Sequence, residues 1–349
     1  MNAYASLRQP GVSAALLAAL LFGAGTPLAK LLLDYVGPWM LAGLLYLGSG
    51  IGLTVLRLWR RSSRVQLPPG EWRWLAGAVL CGGVVGPVLL MFGLTRMPAS
   101  GASLLLNAEG VFTALLAWFA FRENFDRRIA LGMTAIVAGA LVLSWPTEAR
   151  FGDAWPALAV LGACLAWGID NNLTRKVSLN DATWIASVKG LSAGIVNLLL
   201  AAALGGAWPA WPAVAGAMVL GFLAYGISLA LFVVSLRHLG TARTGAYFSV
   251  APFFGAMLAM PVLGETWSAR LGIAGALMVM GVWLHLTERH SHVHTHAPLE
   301  HEHEHAHDAH HAHEHGDLPV DARHSHRHVH EPVTHAHDHF PDAHHRHGH

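Results

Sequence analysis

Glu109 stands in the middle of a long apolar run, with Asn107 two residues before it and Gly110 directly after. An ionisable side chain in such a run is costly and marks a route for ions, protons or substrates. A carboxylate there can gain and lose a proton or a cation as its surroundings alternate between water and apolar groups. Lys189 is a second such group, and Asn197 lies eight residues on, about two turns further along the same helical face. Lys189 could neutralise Glu109 or hold an anionic substrate; alternatively its stem could carry the ammonium to the membrane interface. Asp170, Asn171 and Asn172, followed by Thr174 and Arg175, form a polar end to another apolar run. They could line the mouth of a pathway, or mark a helix end among lipid headgroups.

A different chemistry fills the C-terminal segment. Of the 25 histidines, 23 lie beyond residue 289. They fall into clusters: His290, His292, His294 and His296; His301, His303, His305 and His307; His310, His311, His313 and His315; His324, His326, His328 and His330; His335, His337 and His339; and His344, His345, His347 and His349. Neutral imidazole suits Zn, Ni, Co and Cu(II), and Glu302, Glu304, Asp308 and Asp338 can complete such sites. The segment has too few apolar residues to build a core, so residues 289–349 are expected to be a disordered tail that binds divalent transition metal. The same histidines could also act as a pH-responsive polycation.

The elements that must position Glu109 follow from composition. The chain is 54% hydrophobic and only 12% charged, with mean hydropathy +0.42. The net charge of +1 averages two unlike parts. Residues 1–289 carry 19 Lys/Arg against 11 Asp/Glu (+8), and the remainder carries 3 against 10 (−7). Apolar runs near the length of a membrane span, about 20 residues, occur near 12–33, 36–58, 73–94, 98–121, 129–147, 154–174, 182–204, 212–235, 241–263 and 269–287. Tryptophans such as Trp59, Trp72, Trp155, Trp208, Trp211 and Trp267 sit close to their ends, as an interfacial belt would. The expected fold is an all-α polytopic membrane protein of ten transmembrane helices. With the N-terminus inside, thirteen Lys/Arg fall in cytoplasmic segments and three (Arg96, Arg150, Arg270) outside. The positive-inside rule therefore puts both termini in the cytoplasm.

The chain also resembles itself. Val111–Glu123 aligns with Phe253–Glu265 at an offset of 142, and Ala18–Lys30 with Ala163–Arg175 at 145. Two repeats, 10–147 and 148–288, would hold five spans each. An odd repeat forces the second copy into the membrane upside down, a plan that recurs in secondary transporters with the site at the repeat interface. Nothing resembles a nucleotide-binding motor: the glycines lie within apolar spans, and no Gly-Lys-Ser/Thr signature occurs.

The stretch Gly93-Leu94, then Ala99–Leu105, Asn107–Ala117 and Phe121-Arg122-Glu123, with its counterpart from Gly245-Ala246 through Ala251-Pro252-Phe253 to Gly264-Glu265, resembles the EamA-type transporters of the drug/metabolite transporter superfamily. The resemblance covers about residues 10–288. It implies a transporter, not an enzyme, and leaves the substrate open. Where the family usually has proline after the acid, this chain has Gly110; in the second repeat Pro252 is kept, but Ala251 replaces the acid. Gly110 and Pro252 are thus the expected helix breaks, and the acidic function rests on Glu109.

The leading expectation is a gradient-driven exporter or permease of small metabolites or toxic organic compounds in the inner membrane of a bacterium, with the tail as a metal-binding regulator. The alternative is a divalent-metal (Ni, Co or Zn) exporter whose tail captures the ion; a membrane metal sensor that transports nothing is a third. No cofactor is required for transport. The partners are the lipid bilayer and a small-molecule or ion substrate, with no nucleic acid, and a homodimer is compatible with the sequence.

Overall fold

A computed structural model of the chain describes residues 9–94, 105–123, 127–144, 154–264, 267–287 and, in the tail, 291–295, 299–305, 324–330 and 334–338. Among them, helices occupy α1 (Pro10–Leu32), α2 (Pro38–Trp59), α3 (72–94), α4 (Ala108–Ala120), α5 (Arg127–Ser144), α6 (Ala154–Val177), α7 (Ala182–Ala203), α8 (Trp211–Leu239), α9 (Thr241–Leu263) and α10 (Ala269–Leu286). Seven of these (α1, α2, α3, α7, α8, α9 and α10) are long and apolar enough to cross a membrane. The other three fall where spans are expected. The described part of α4 is short, and α6 is diluted by Asp170, Asn171 and Asn172. The start of the span expected at 98–121 lies outside the described residues.

Local signals account for the helix starts. Pro10 and Pro38 open α1 and α2, where the missing N–H has no intrahelical partner to lose. Asp181 caps α7 by accepting from the Thr183 and Trp184 backbone N–H groups, and Ser268 caps α10 through Leu271 N–H. Trp59, Trp155, Trp211 and Trp267 are largely exposed near helix ends, and Leu58, Leu199, Val219 and Val279 are exposed along the helices. In lipid, such outward apolar side chains are in their preferred solvent.

The packing pairs the helices in a consistent exchange. Helix α1 packs on α8 and α9, while α6 packs on α3 and α4; α2 packs on α8 and α7 on α3. The pairs α2–α7, α5–α10 and α4–α9 are also in contact. Exchanging each helix with the one five places on leaves this set unchanged. Two pairs of irregularities correspond too. A π-helical stretch, Leu80–Val85, interrupts α3, and another, Gly221–Ile227, interrupts α8. A turn at Asn107 precedes α4, and one at Ser249–Val250 divides α9.

These turns correct the expected breaks. The first interruption falls at Asn107, and Gly110 lies within the helix that follows. Pro252 is the second residue of the restarted helix Ala251–Leu263, a position where proline loses no hydrogen bond. Gly110 has a steric role instead: a Cβ there would press on Ser249 Oγ at 2.7 Å.

Small residues set the closest crossings. A Cβ on Gly48 would overlap the Met218 carbonyl, and one on Gly221 would overlap the Leu45 carbonyl, so α2 and α8 meet backbone to backbone. Gly48→Val should therefore cost about 1–3 kcal/mol, as overpacking does, measured by denaturant titration in detergent. Gly70→Val, where nothing lies within 4 Å of the new Cβ, is the control and should change stability little. Equal stability of the two variants would show that the crossing is not close.

The tail forms a unit of its own and departs in part from the expected disorder. Its described residues form β1 (Ser291–Thr295), β2 (Leu299–His305), β3 (His324–His330) and β4 (Thr334–Asp338), with β1 antiparallel to β4 and β2 to β3. The physical reason is the alternating sequence. A two-residue repeat matches the period of a strand, and antiparallel pairing gives the backbone donors and acceptors that face the partner strand their bonds without a core. His290, His296, His307, His310, His311, His313, His315, His339, His344, His345, His347 and His349 lie outside the described residues.

Candidate functional site

Glu109 lies in the first turn of α4, directly after the Asn107 turn. It is deep in the helical unit and keeps part of its surface accessible. Asn171 of α6 donates through Nδ2 to Glu109 Oε1 at 3.4 Å and to Thr113 Oγ1 at 3.2 Å. The next residue, Asn172, is 1% exposed and donates to the Thr113 carbonyl at 3.0 Å and the Gly168 carbonyl at 2.9 Å. Adjacent asparagines thus divide the work: Asn172 fixes α6 against α4, and Asn171 meets the carboxylate in the space between them. Gly168 permits this, since a Cβ there would stand 3.1 Å from Thr113 N.

Aromatic rings from the other helices extend through the same interior. Tyr46 of α2 lies edge-on to Tyr225 of α8 with centroids 5.5 Å apart, Tyr225 meets Phe22 of α1 at 5.4 Å, and Phe22 meets Phe248 of α9 at 5.3 Å. All four rings are half-buried. Tyr46 lies within electrostatic reach of Asp170 and, more weakly, of Glu109. Phe248 precedes Ser249, the residue that Gly110 faces. The carboxylate and the ring ladder therefore share one region, bordered by the two helix interruptions. Such rings offer apolar area and negative π faces.

The other residues singled out in the sequence are placed differently. Lys189 neither reaches Glu109 nor extends toward an interface. It is 8% exposed, and its Nζ pairs with Asp170 Oδ1 at 2.6 Å and donates to Thr174 Oγ1 at 2.9 Å. Thr174 Oγ1 in turn donates to Asp170 Oδ1 at 2.9 Å. Asp170 is 7% exposed, so it neither marks a helix end at the headgroups nor lines an open mouth. Gly82, in the π-helical stretch of α3, leaves room for it: a Cβ there would overlap the carboxylate. A buried charge needs its partner and hydrogen bonds close by, and here the three side chains satisfy one another. Asn197 is also buried; its Nδ2 donates to the Ala193 carbonyl at 2.8 Å and the Gly83 carbonyl at 3.5 Å, tying α7 to α3. Of the residues singled out in the sequence, the structure brings Glu109 and Asn171 together; the aromatic ladder, Thr113 and the partner of Lys189 did not stand out in the sequence.

Among the described residues, no group of three or more His, Cys, Asp or Glu side chains is placed to hold a metal ion. His285 sits at the end of α10, 1% exposed, in hydrogen-bonding contact with the Ile129 carbonyl and edge-on to Tyr247.

The fold and the sequence both have counterparts among known proteins. A solved crystal structure with 21% sequence identity superposes with a TM-score of 0.69, covering 78% of this chain and 96% of the other, and shares the fold. An uncharacterized transporter of Methanothermobacter thermautotrophicus is 28% identical over 287 residues, 76% of this chain and 83% of that protein. The uncharacterized inner membrane transporter YedA of Escherichia coli K12 is 24% identical over 256 residues, 70% of this chain and 80% of that protein. The EamA-like transporter family matches twice, over residues 9–145 and again over 154–287. With apolar helices on both sides of a buried carboxylate and a family match across nearly all of the helical unit, this chain is an integral membrane protein that belongs to the EamA-like transporter family.

Proposed function

We propose that this transporter of small compounds is a gradient-driven secondary transporter whose cargo is a small organic molecule with a cationic or amine head and an apolar body. The observation that carries this reading is the Glu109 carboxylate, held by Asn171 in the interior that the Phe22, Tyr46, Tyr225 and Phe248 rings line. A carboxylate attracts an ammonium, and ring faces attract both its charge and its apolar body. The matching contact pattern and the double family match support ten spans arranged as two inverted repeats, 10–147 and 148–288. Thirteen basic residues on one side against three on the other support cytoplasmic termini. We take the membrane to be a bacterial inner membrane and the His-rich tail to be a metal-binding regulator outside the transport path. Among the described residues no three His, Cys, Asp or Glu side chains converge at Glu109, which suits an organic cation better than a transition metal.

The test is uptake into everted membrane vesicles of aromatic and aliphatic amines, each beside its neutral amide analogue of equal size, with the full chain and a chain ended after Thr287. Amines should accumulate at least tenfold more than the amides, as expected for about 1.5–3 kcal/mol of charge-assisted hydrogen bonding. An ionophore that collapses the gradient should abolish accumulation, and the truncated chain should retain it. Equal accumulation of amine and amide would overturn the cargo reading. Metal uptake lost on truncation would favour the metal exporter.

A further inference from the structure

The Phe121-Arg122-Glu123 sequence that closes α4 is built into a contact between the two repeats. Arg122 is one of only two non-glycine residues with positive φ among the described residues (φ 54), a left-handed conformation that costs energy without glycine. It turns the chain so that Glu123 N–H returns to the Ala117 carbonyl at 2.8 Å. The Glu123 side chain is directed toward the second repeat. Its Oε1 accepts from Thr241 N–H at 2.8 Å, and Oε2 from Thr241 N–H at 3.0 Å and Ala242 N–H at 3.1 Å. These are N–H groups in the first turn of α9, which have no partner within the helix and lie at the positive end of its dipole. The same carboxylate pairs with Arg175 Nη1, at the end of α6, at 3.1 Å. Next to it, Lys176 Nζ stands over the Phe121 ring, 5.4 Å from its centroid. Gly240, just before α9, has φ 78, and a Cβ there would press on the Glu123 carboxylate.

Further links between the repeats lie at this arginine-rich end. Arg57 pairs with Asp181 and donates to Thr183 Oγ1 at 3.0 Å. Asn180 donates to Glu71 at 2.7 Å, and Arg128 to the Thr287 carbonyl at 2.9 Å. Burial works against the Asp181 charge, but hydrogen bonds from Thr183 and Arg57 outweigh it and hold the carboxyl below the usual aspartate range.

From this geometry we propose that Glu123 is the latch of the cytoplasmic gate: it holds α4 of the first repeat to α6 and α9 of the second, and must release all three partners before the interior opens to the cytoplasm. The proposal rests on the transporter reading and on no particular cargo. Two repeats that rock about a central site must separate at one end while they close at the other. A carboxylate shared between a helix N-terminus and an arginine is a strong contact that such a movement breaks as a unit.

Sided labelling tests it without substrate. In a Cys81→Ser/Cys164→Ala background, Ser249→Cys places a thiol in the interior opposite Gly110. A membrane-impermeant maleimide is then applied to inside-out vesicles and, separately, to spheroplasts. Glu123→Gln keeps the size of the side chain and removes its charge. It should raise the labelling rate from the cytoplasmic face by about tenfold, the shift that losing a charge-assisted hydrogen bond produces. Labelling from the outside should fall. Arg175→Gln, which leaves the α9 contacts intact, should raise the cytoplasmic rate by less, and Glu123→Asp, with the charge on a shorter stem, should fall between parent and Glu123→Gln. If Glu123→Gln fails to insert, the other two variants carry the test. Cytoplasmic labelling at the parent rate in the variants that insert would overturn the latch and leave Glu123 a cap alone. Sidedness is measured without cargo, so loss of the amine reading would leave this result standing, and the reverse also holds.

Discussion

Glu109→Gln will abolish concentrative amine transport while leaving the protein folded in the membrane. The substitution keeps the shape and still accepts from Asn171, so the contact at 3.4 Å survives in neutral form. What disappears is one of two carboxylates, with Asp170, within electrostatic reach of Tyr46, and the one that no ammonium already holds. A bond to a charged group contributes about 1.5–3 kcal/mol, against about 1 kcal/mol for a neutral one. Substrate affinity should therefore fall by about 2- to 30-fold. Coupling should fall to background, because an amide takes up no proton or cation at neutral pH. Asn171→Ala is the graded comparison: it leaves the charge and removes one donor, so transport should weaken without vanishing. The measurements are uptake in everted vesicles and melting in detergent for each variant. Accumulation by Glu109→Gln at the parent level would remove the carboxylate from the mechanism.

Glu109 was legible in the sequence because a charge in a long apolar run has few structural explanations. The aromatic ladder was not. Phe22, Tyr46, Tyr225 and Phe248 come from four helices, and an aromatic in an apolar span reads the same whether it faces lipid or a cavity. Only packing separates Phe22 from Trp155, which is 75% exposed. The helix positions followed from run length, proline and charge, but the interruption did not: it falls at Asn107, and Gly110 is explained by its approach to Ser249. Glu123 was read as the end of a motif. Its partners, Arg175 and the start of α9, lie in the other repeat, where linear spacing gives no guide.

The partner of Lys189 was available to sequence reasoning and was missed. Helices α6 and α7 are joined by a short turn centred between Leu179 and Asn180. Asp170 and Lys189 lie equally far from that centre, so in an antiparallel hairpin they sit at one depth, with opposite charges. Lys189 was weighed against Glu109 because both were unusual. The nearer carboxylate, Asp170, reads from the sequence as lining a pathway mouth or marking a helix end, and it is the one that the ammonium meets at 2.6 Å.

That pairing gives the second large effect. Asp170→Asn leaves the Lys189 ammonium buried without a counter-charge, and Lys189→Met leaves the Asp170 carboxylate in the same position. Each should destabilise the protein by about 3–5 kcal/mol, the usual result of breaking a buried pair from one side. The double variant should recover most of that loss, because it buries no charge. Asn fits the space that Gly82 leaves for Asp170 and can still accept from Thr174, while Met follows the path of the lysine stem. Denaturant titration in detergent across the four proteins gives the coupling energy directly. Transport by the double variant separates structure from mechanism. The pair and Thr174 satisfy one another, so the double variant should carry amine at close to the parent rate. A folded double variant that transports nothing would place Asp170 and Lys189 in the coupling machinery with Glu109; destabilisation equal to the sum of the single losses would show that the two charges do not stabilise each other.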